Sequence, residues 1–318
     1  MTKKVRGKIL FLDSIHPKLQ DLLVNSGFEC YFDPKITPTT LIEQINSYDG
    51  IIVRSKMGLD KKILSHANNI RFIGRVGSGM ENVDVEYAES IGIRCLNSPE
   101  GNRDAVGEHA LGMLLSLMNN MCRASAQVQD GQWNREENRG HEISGKTVGI
   151  IGYGNMGSAF AQRLKGFDAR VIAYDKYKKN YSNDLVKEVS MDEIFEESDI
   201  LSLHVPLTAE TRYLVDETYL KFFKKPIWLI NTSRGPVVKT SALVWALQNK
   251  IITGAALDVL EYENSSFSDI DKNLIDDSFN TLTGLNNVIL SPHVAGWTHE
   301  SNIKLAEVLA EKINSLYS

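Results

Sequence analysis

Short apolar runs alternate with amphipathic segments along almost the whole of this 318-residue chain. Between residues 8 and 99 the runs KILFLD, GIIVRS, IRFIGRVG and IRCLNSP have strand length. The intervening HPKLQDLLVNSG, which closes on Gly27, and IEQIN have helical spacing. Apolar runs of this length separated by helices predict a parallel sheet with both faces covered. Residues 103–129 place Val106, Ala110, Met113, Leu114 and Leu117 at helical intervals. They predict the longest helix of the chain, crossing to a second domain.

The alternation then resumes. KTVGIIGYG, ARVIAYD, SDILSLHVP, PIWLINTS and ITGAALDV are strand candidates, with NVILSPH as the last. Helical segments separate them, among them SMDEIFEES, where Ser190 and Glu193 have the spacing of a capping box. This predicts a second doubly wound sheet. A final helix over about 298–316 is expected to return to the first domain, making that domain discontinuous. The expected boundaries are 1–99 with 292–318 for the first domain and 100–291 for the second. The acidic, serine-rich stretch 264–285 has no clear period and predicts a loop insertion with room for one short helix.

Composition narrows the class. Apolar residues make up 42% and charged residues 24%, as in ordinary globular domains. The net charge of −5 argues against a nucleic-acid footprint or a polybasic membrane surface, so a small-molecule partner is expected. Three widely spaced cysteines, Cys30, Cys95 and Cys122, fit reduced thiols better than a disulfide framework or a zinc site. MTKKVRGKILFLD is too weakly apolar for a signal segment, and no run reaches the length of a membrane span, so a cytoplasmic location is expected.

The chemistry begins at residues 148–175. Gly152, Gly154 and Gly157 form G-Y-G-N-M-G directly after an apolar strand and at the start of a helix. The first glycine suits a tight turn, the second lets backbone approach a pyrophosphate, and the third brings helix and strand together. N–H groups at that helix start, Asn155 and Met156 among them, suit phosphate. A second strand ends in Asp175, whose carboxylate can accept adenosine ribose hydroxyls and repel a 2′-phosphate. NAD is therefore the expected cofactor, with Lys176, Lys178 and Lys179 keeping NADP as the lesser alternative. Gly74, Gly77 and Gly79 in GRVGSG lack the third spacing and a downstream acid, and are expected to form a tight loop.

Hydride transfer from a secondary alcohol needs a base for the hydroxyl proton, and a carboxylate substrate needs a cation. Arg234 in NTSRG, Glu263 in ALDVLEYE and His293 in VILSPH lie just beyond strands, where an open α/β sheet binds ligands. G-Y-G-N-M-G, H-V-P-L-T, N-T-S-R-G, A-A-L-D-V and S-P-H-V-A-G-W-T, in this order, resemble the D-isomer-specific 2-hydroxyacid dehydrogenases over nearly the whole chain. The resemblance implies a Rossmann NAD-binding domain inserted into a discontinuous flavodoxin-like substrate domain, the two α/β domains each with a parallel sheet.

It also implies roles. Arg234 would hold the substrate carboxylate and polarise the carbonyl. His293 would donate or accept the proton, and Glu263 would hydrogen-bond His293 and favour its protonated form. Asp258 would bind the nicotinamide amide, Thr232 and Ser233 would border the nicotinamide ribose, and His204, Val205, Pro206 and Gly296 would lie along the cofactor. The N–H groups of Ser78 and Gly79 would meet the substrate carboxylate. The family's usual proline after the glutamate is Asn264 here, and the insertion after it is longer.

Within the family, IIVRSKMGLD, GRVGSGMENVD and NSPEGNRDAVGEHA resemble short phosphoglycerate dehydrogenases, with Arg54 and Lys56 as cations for a phosphate. Glyoxylate or hydroxypyruvate is the alternative substrate, and the chain is not expected to carry the carboxy-terminal regulatory domain of the long form. A non-catalytic NAD(H) sensor is the rival reading. The Tyr174 and Lys178 pair has short-chain-dehydrogenase spacing, but it is expected to face the adenosine. A homodimer is expected, with the long helix, Trp133 and Arg135 as candidates for the contact.

Overall fold

The computed structural model describes residues 5–264 and 269–317, and among them twelve strands form two all-parallel sheets. The first contains β1 (Gly7–Phe11), β2 (Phe28–Phe32), β3 (Gly50–Val53), β4 (Phe72–Arg75) and β5 (Arg94–Leu96) in the order β2-β1-β3-β4-β5. That is the flavodoxin-like order. Two apolar clusters make its core. One is built on Ile51, Val53 and Ile73, and the other on Ile9, Phe11, Ile52 and Phe72.

The second sheet contains β6 (Thr147–Ile151), β7 (Arg170–Tyr174), β8 (Lys187–Glu188), β9 (Ile200–Leu203), β10 (Ile227–Asn231), β11 (Ile252–Leu257) and β12 (Val288–Leu290). Their order is β12-β11-β10-β9-β6-β7-β8. The chain reverses its direction of travel between β6 and β9, which is the topological switch point of a Rossmann sheet. Every residue of β9 and β10 is buried. This is why these strands read as continuous apolar runs without alternation.

Helix ends follow local chemistry. Ser190 Oγ accepts the Glu193 N–H at 3.2 Å and Glu193 Oε2 accepts the Ser190 N–H at 2.8 Å, so the expected capping box caps Met191–Glu197. The terminal helix is His299–Ser315, capped by Thr298. Its Leu305, Ala306, Leu309, Ala310 and Ile313 enter the cluster of Ile9, Phe11, Leu19 and Leu23. Burying five such residues in the core of the first sheet is what returns the chain to that domain.

The elements depart from the sequence expectations at particular places. The long helix ends at Met118 and a second runs Met121–Gln129, because Asn120 takes a left-handed conformation with φ 52°. The half-exposed edge strand β2 and the two-residue β8 were not anticipated, since neither has an apolar run or a clean alternation. The chain divides into two compact units, the first running through Asn102 and again from Trp297, the second from Arg103 to Gly296. The expected boundaries were 99 and 292, and the division by contacts falls at 102 and 297. The second moves because residues 291–295 hydrogen-bond to β11 and to Asp258, which keeps His293 in the second unit. In the stretch 264–285, residues 265–268 lie outside the described residues, and Asp277–Thr283 forms one short helix capped by Asp276.

Candidate active site

Parallel registration sets the geometry of the second unit. Tyr174, Ile151, Leu203, Asn231, Leu257 and Leu290 are partners across successive strands. The next residue on each strand is Asp175, Gly152, His204, Thr232, Asp258 and Ser291, so residues far apart in sequence emerge in one row at the carboxyl edge of the sheet. In a parallel sheet this edge is where ligands bind.

The glycine loop has a division of labour. Gly152 has φ +90°, and a Cβ there would sit 2.5 Å from the His204 carbonyl oxygen. A Cβ on Gly157 would sit 2.1 Å from the Gly152 oxygen. Both glycines are required by the fold itself. Gly154 is exposed, has φ −88°, and a Cβ there would meet nothing within 4 Å. The fold itself therefore does not require a glycine there. The helix Asn155–Arg163 starts immediately after it, and among the described residues the N–H groups of Asn155 and Met156 donate to no acceptor of the chain. Such a helix start attracts phosphate.

Asp175 accepts N–H groups from Tyr153 at 2.8 Å and from Tyr177 and Lys178 at 2.9 Å each. Burial pushes its carboxyl up, but these three donors together hold it below the ordinary carboxylate value. Lys178 Nζ lies 3.3 Å from the Tyr153 carbonyl and over the Tyr153 and Tyr181 rings. Tyr174 and Lys178 therefore do not form a catalytic pair.

At the end of β10 the side chain of Asn231 folds the N-T-S-R-G turn. Its Oδ1 accepts both the N–H and the hydroxyl of Ser233, and its Nδ2 donates to the Arg234 carbonyl at 3.0 Å. Thr232 is 8% exposed, and among the described residues its buried hydroxyl has no partner. A buried polar atom left so is costly unless a ligand satisfies it. A Cβ on Gly235 would collide with the Leu260 backbone at 2.0 Å. The glycine after Arg234 thus lets this turn lie directly on the turn that carries Glu263.

His293 has φ +54°, a left-handed conformation that costs a non-glycine residue about 1–3 kcal/mol. Its N–H donates to the Asp258 carbonyl at 2.8 Å and to the Ser291 carbonyl at 3.0 Å. Its Nδ1 lies 2.6 Å from Glu263 Oε2, while Glu263 Oε1 accepts the Leu260 N–H at 2.6 Å. A carboxylate only accepts, so Nδ1 carries the proton in this pair.

Asp258 is 1% exposed. Its carboxylate accepts the Val294 N–H at 2.9 Å, the Ala295 N–H at 2.8 Å and the Ser291 hydroxyl at 2.6 Å. Burial works to raise its pKa, but these donors and His109 keep it low. Ser291 gives its one proton to Asp258, so its oxygen accepts from His109 Nε2 at 3.1 Å. The resemblance implied that Asp258 binds the nicotinamide amide, and in the structure its side chain holds the His293 loop. No motif connects His109 to Ser291, 182 positions away.

His204 also differs from expectation. Its carbonyl and Val205 Cγ1 lie against Gly152, but its ring packs against Phe160 and its Nε2 bonds Ser202 Oγ at 2.8 Å. Buried and, among the described residues, without a partner at Nδ1, the imidazole has its pKa pushed down to about 3 by burial and stays neutral. Only the backbone of His204 lines the switch point. The Pro206 carbonyl accepts from Thr211 Oγ1, and Gly296 closes the stretch held by Asp258.

The first unit gathers its own set at the carboxyl ends of its strands. Asp13 accepts the N–H groups of Arg54 and Lys56 at 2.5 and 3.2 Å, fixing the loop after β3. The Arg54 guanidinium stacks on the Trp297 ring at 4.2 Å, and that indole is 62% exposed. Lys56 is engaged elsewhere, its Nζ donating to the carbonyls of Pro34 and Ile36. Lys56 was expected beside Arg54 as a phosphate cation, and its ammonium here ties two loops together. The loop of Gly74, Gly77 and Gly79 is a tight turn, with Ser78 bonded through its hydroxyl to Asn102 and through its carbonyl to Asn97. Among the described residues the N–H groups of Ser78 and Gly79 donate to no acceptor of the chain.

Residues 111–295 match the family model described as D-isomer specific 2-hydroxyacid dehydrogenase, NAD binding domain. A hydroxypyruvate reductase of Thermotoga maritima is 34% identical over 97% of this chain and 97% of its own length. A D-3-phosphoglycerate dehydrogenase of Archaeoglobus fulgidus is 32% identical over 96% of this chain, which spans 56% of that protein. Among solved structures, the D-lactate dehydrogenase of Aquifex aeolicus, complexed with NAD and lactic acid, is similar at a TM-score of 0.80. It is 27% identical and covers 98% of this chain, and the chain covers 95% of it.

Proposed function

Because the chain belongs to the D-isomer-specific 2-hydroxyacid dehydrogenases, we propose that it passes hydride between NAD(H) and a D-2-hydroxy acid or its 2-keto acid. The observation that carries this reading is the His293 and Glu263 pair, held at 2.6 Å on a strained turn beside the N-T-S-R-G loop. The cofactor supplies or removes the hydride. The chain supplies the rest of the chemistry.

The glycine loop and the Asn155 and Met156 N–H groups suit the pyrophosphate, Asp175 suits the adenosine ribose, and the unpartnered Thr232 hydroxyl suits the far end of the dinucleotide. Arg234 would neutralise the substrate carboxylate and polarise its carbonyl, with a fork that a lysine cannot copy. His293 would exchange the hydroxyl proton through Nε2, while Glu263 holds Nδ1–H and stabilises the imidazolium formed. In the first unit the Ser78 and Gly79 N–H groups suit a carboxylate.

The first substrate to try is the 3-phosphoglycerate and phosphohydroxypyruvate pair, with Arg54 as the phosphate cation. Lys56 favours a second reading. Its tie to Pro34 and Ile36 leaves one cation where a dianion would prefer two, and this suits hydroxypyruvate or glyoxylate. NADH oxidation with each of the three keto acids tests the reading. An Arg54→Met variant should lose only phosphohydroxypyruvate turnover. NADH binding without turnover of any keto acid would support an NAD(H) sensor instead.

A homodimer is the assembly we expect. Met121 and Val128 lie seven residues apart on one face of Met121–Gln129, both about half exposed, and Trp133 beyond them is 77% exposed. Sedimentation as a monomer at micromolar concentration would contradict it.

A further inference from the structure

The acid at the end of β7 has a partner in setting cofactor choice. Lys176 stands next to Asp175, where an ammonium could receive a 2′-phosphate, yet its Nζ is bound to Glu210 Oε1. Glu210 lies on the loop after β9, 34 residues away in sequence. Its other oxygen accepts the Tyr177 hydroxyl at 3.0 Å. One carboxylate thus takes both residues that follow Asp175. The remaining basic residues are also occupied, Lys178 by the Tyr153 carbonyl and two rings, and Lys179 by the Asp175 carbonyl at 3.4 Å and the Tyr174 ring.

β7 and β9 both pair with β6, one on each side, so the Glu210 contacts connect the two loops that flank the glycine turn. We propose that Glu210 is a specificity-determining residue, which engages Lys176 and Tyr177 and adds a second negative charge beside Asp175, so that a 2′-phosphorylated dinucleotide is refused. This rests on the reading of Asp175 as the ribose acid. Asp175 repels the phosphate, and Glu210 engages the nearest cation that could have compensated. The two acids would act on the same phosphate from the loops that follow β7 and β9.

The test is direct binding, since no substrate need be known. NADH and NADPH are titrated calorimetrically into the full-length chain and into Glu210→Gln, Glu210→Lys, Lys176→Gln, Glu210→Gln with Lys176→Gln, and Asp175→Asn. Releasing Lys176 should raise the NADPH-to-NADH affinity ratio about threefold to tenfold in Glu210→Gln and further in Glu210→Lys, with the gain shrinking as salt rises. Lys176→Gln should lower the ratio, and combining it with Glu210→Gln should cancel most of the gain. An unmoved ratio in Glu210→Gln and Glu210→Lys, with Asp175→Asn moving it, would overturn the role of Glu210 alone. A ratio unmoved in Asp175→Asn would overturn the Asp175 reading and the proposal with it.

Discussion

Asp258 holds His293 through the main chain. Its carbonyl accepts the His293 N–H at 2.8 Å, and its carboxylate accepts the N–H groups of the next two residues at 2.9 and 2.8 Å. One buried acid thereby fixes the left-handed turn that aims the imidazole at Glu263.

Asp258→Asn should therefore damage fold and chemistry together. An amide turns one acceptor oxygen into a donor, which must then face the N–H of Val294 or Ala295. Losing a charge-assisted buried bond and leaving that group unsatisfied should lower the unfolding free energy by about 2–4 kcal/mol. The same variant should lower kcat at least tenfold. Urea denaturation and steady-state kinetics check the two effects separately, and normal values in both would remove Asp258 from this role.

His293→Asn separates chemistry from strain. Asparagine accepts the left-handed conformation, so stability should stay within about 1 kcal/mol of the parent. Loss of the proton carrier should lower kcat by about a hundredfold or more. A kcat within threefold of the parent would exclude His293 as the acid or base.

The glycine loop yields opposite predictions at neighbouring positions. Gly157→Ala would put a Cβ 2.1 Å from the Gly152 oxygen and should cost about 1–3 kcal/mol of stability by forcing helix and strand apart. Gly154→Ala meets no atom of the chain, so its thermal midpoint should be unchanged while NADH affinity falls tenfold or more. Unaltered NADH binding in Gly154→Ala would show that no cofactor approaches there.

Stability should also fall in acid for a reason that has nothing to do with carboxylates. The folded pKa of His204 lies at about 3, below its ordinary 6.5, so the unfolded chain takes up this proton first. The stabilisation is full above pH 6.5 and is lost as pH falls toward 3, by up to about 1.4 kcal/mol per pH unit. Asp258 and Asp175, also held below their ordinary values, add their own losses at lower pH, once carboxylates protonate. Denaturation curves between pH 7 and 5 should be steeper in pH for the parent than for His204→Asn. Equal slopes would contradict a buried neutral imidazole.

Much of this was legible in the chain because it is written locally. Apolar runs marked ten of the twelve strands, most plainly where burial on both faces left no alternation, as in β9 and β10, and they missed the half-exposed β2 and the two-residue β8. The glycine loop, the capping box at Ser190 and the acid at Asp175 are also short-range features, readable within one strand, turn and helix. Even the break at Asn120 has a local origin, in a residue that tolerates the left-handed region.

The residues that refine the site have no such signature. His109 reaches Ser291 across 182 positions, Glu210 reaches Lys176 across 34, and Trp297 meets Arg54 only when the last helix has returned to the first sheet. The sequence by itself determined the two parallel sheets, the dinucleotide turn and the candidate trio of Arg234, Glu263 and His293, since hydrophobic periodicity and turn chemistry act over a few neighbouring residues. Only the tertiary structure decided that His204 turns its ring inward, that Lys56 ties two loops and that Asp258 serves the His293 backbone. Those choices depend on which donors and acceptors the parallel register brings within about 3 Å of one another, and a buried polar group takes whichever partner is there.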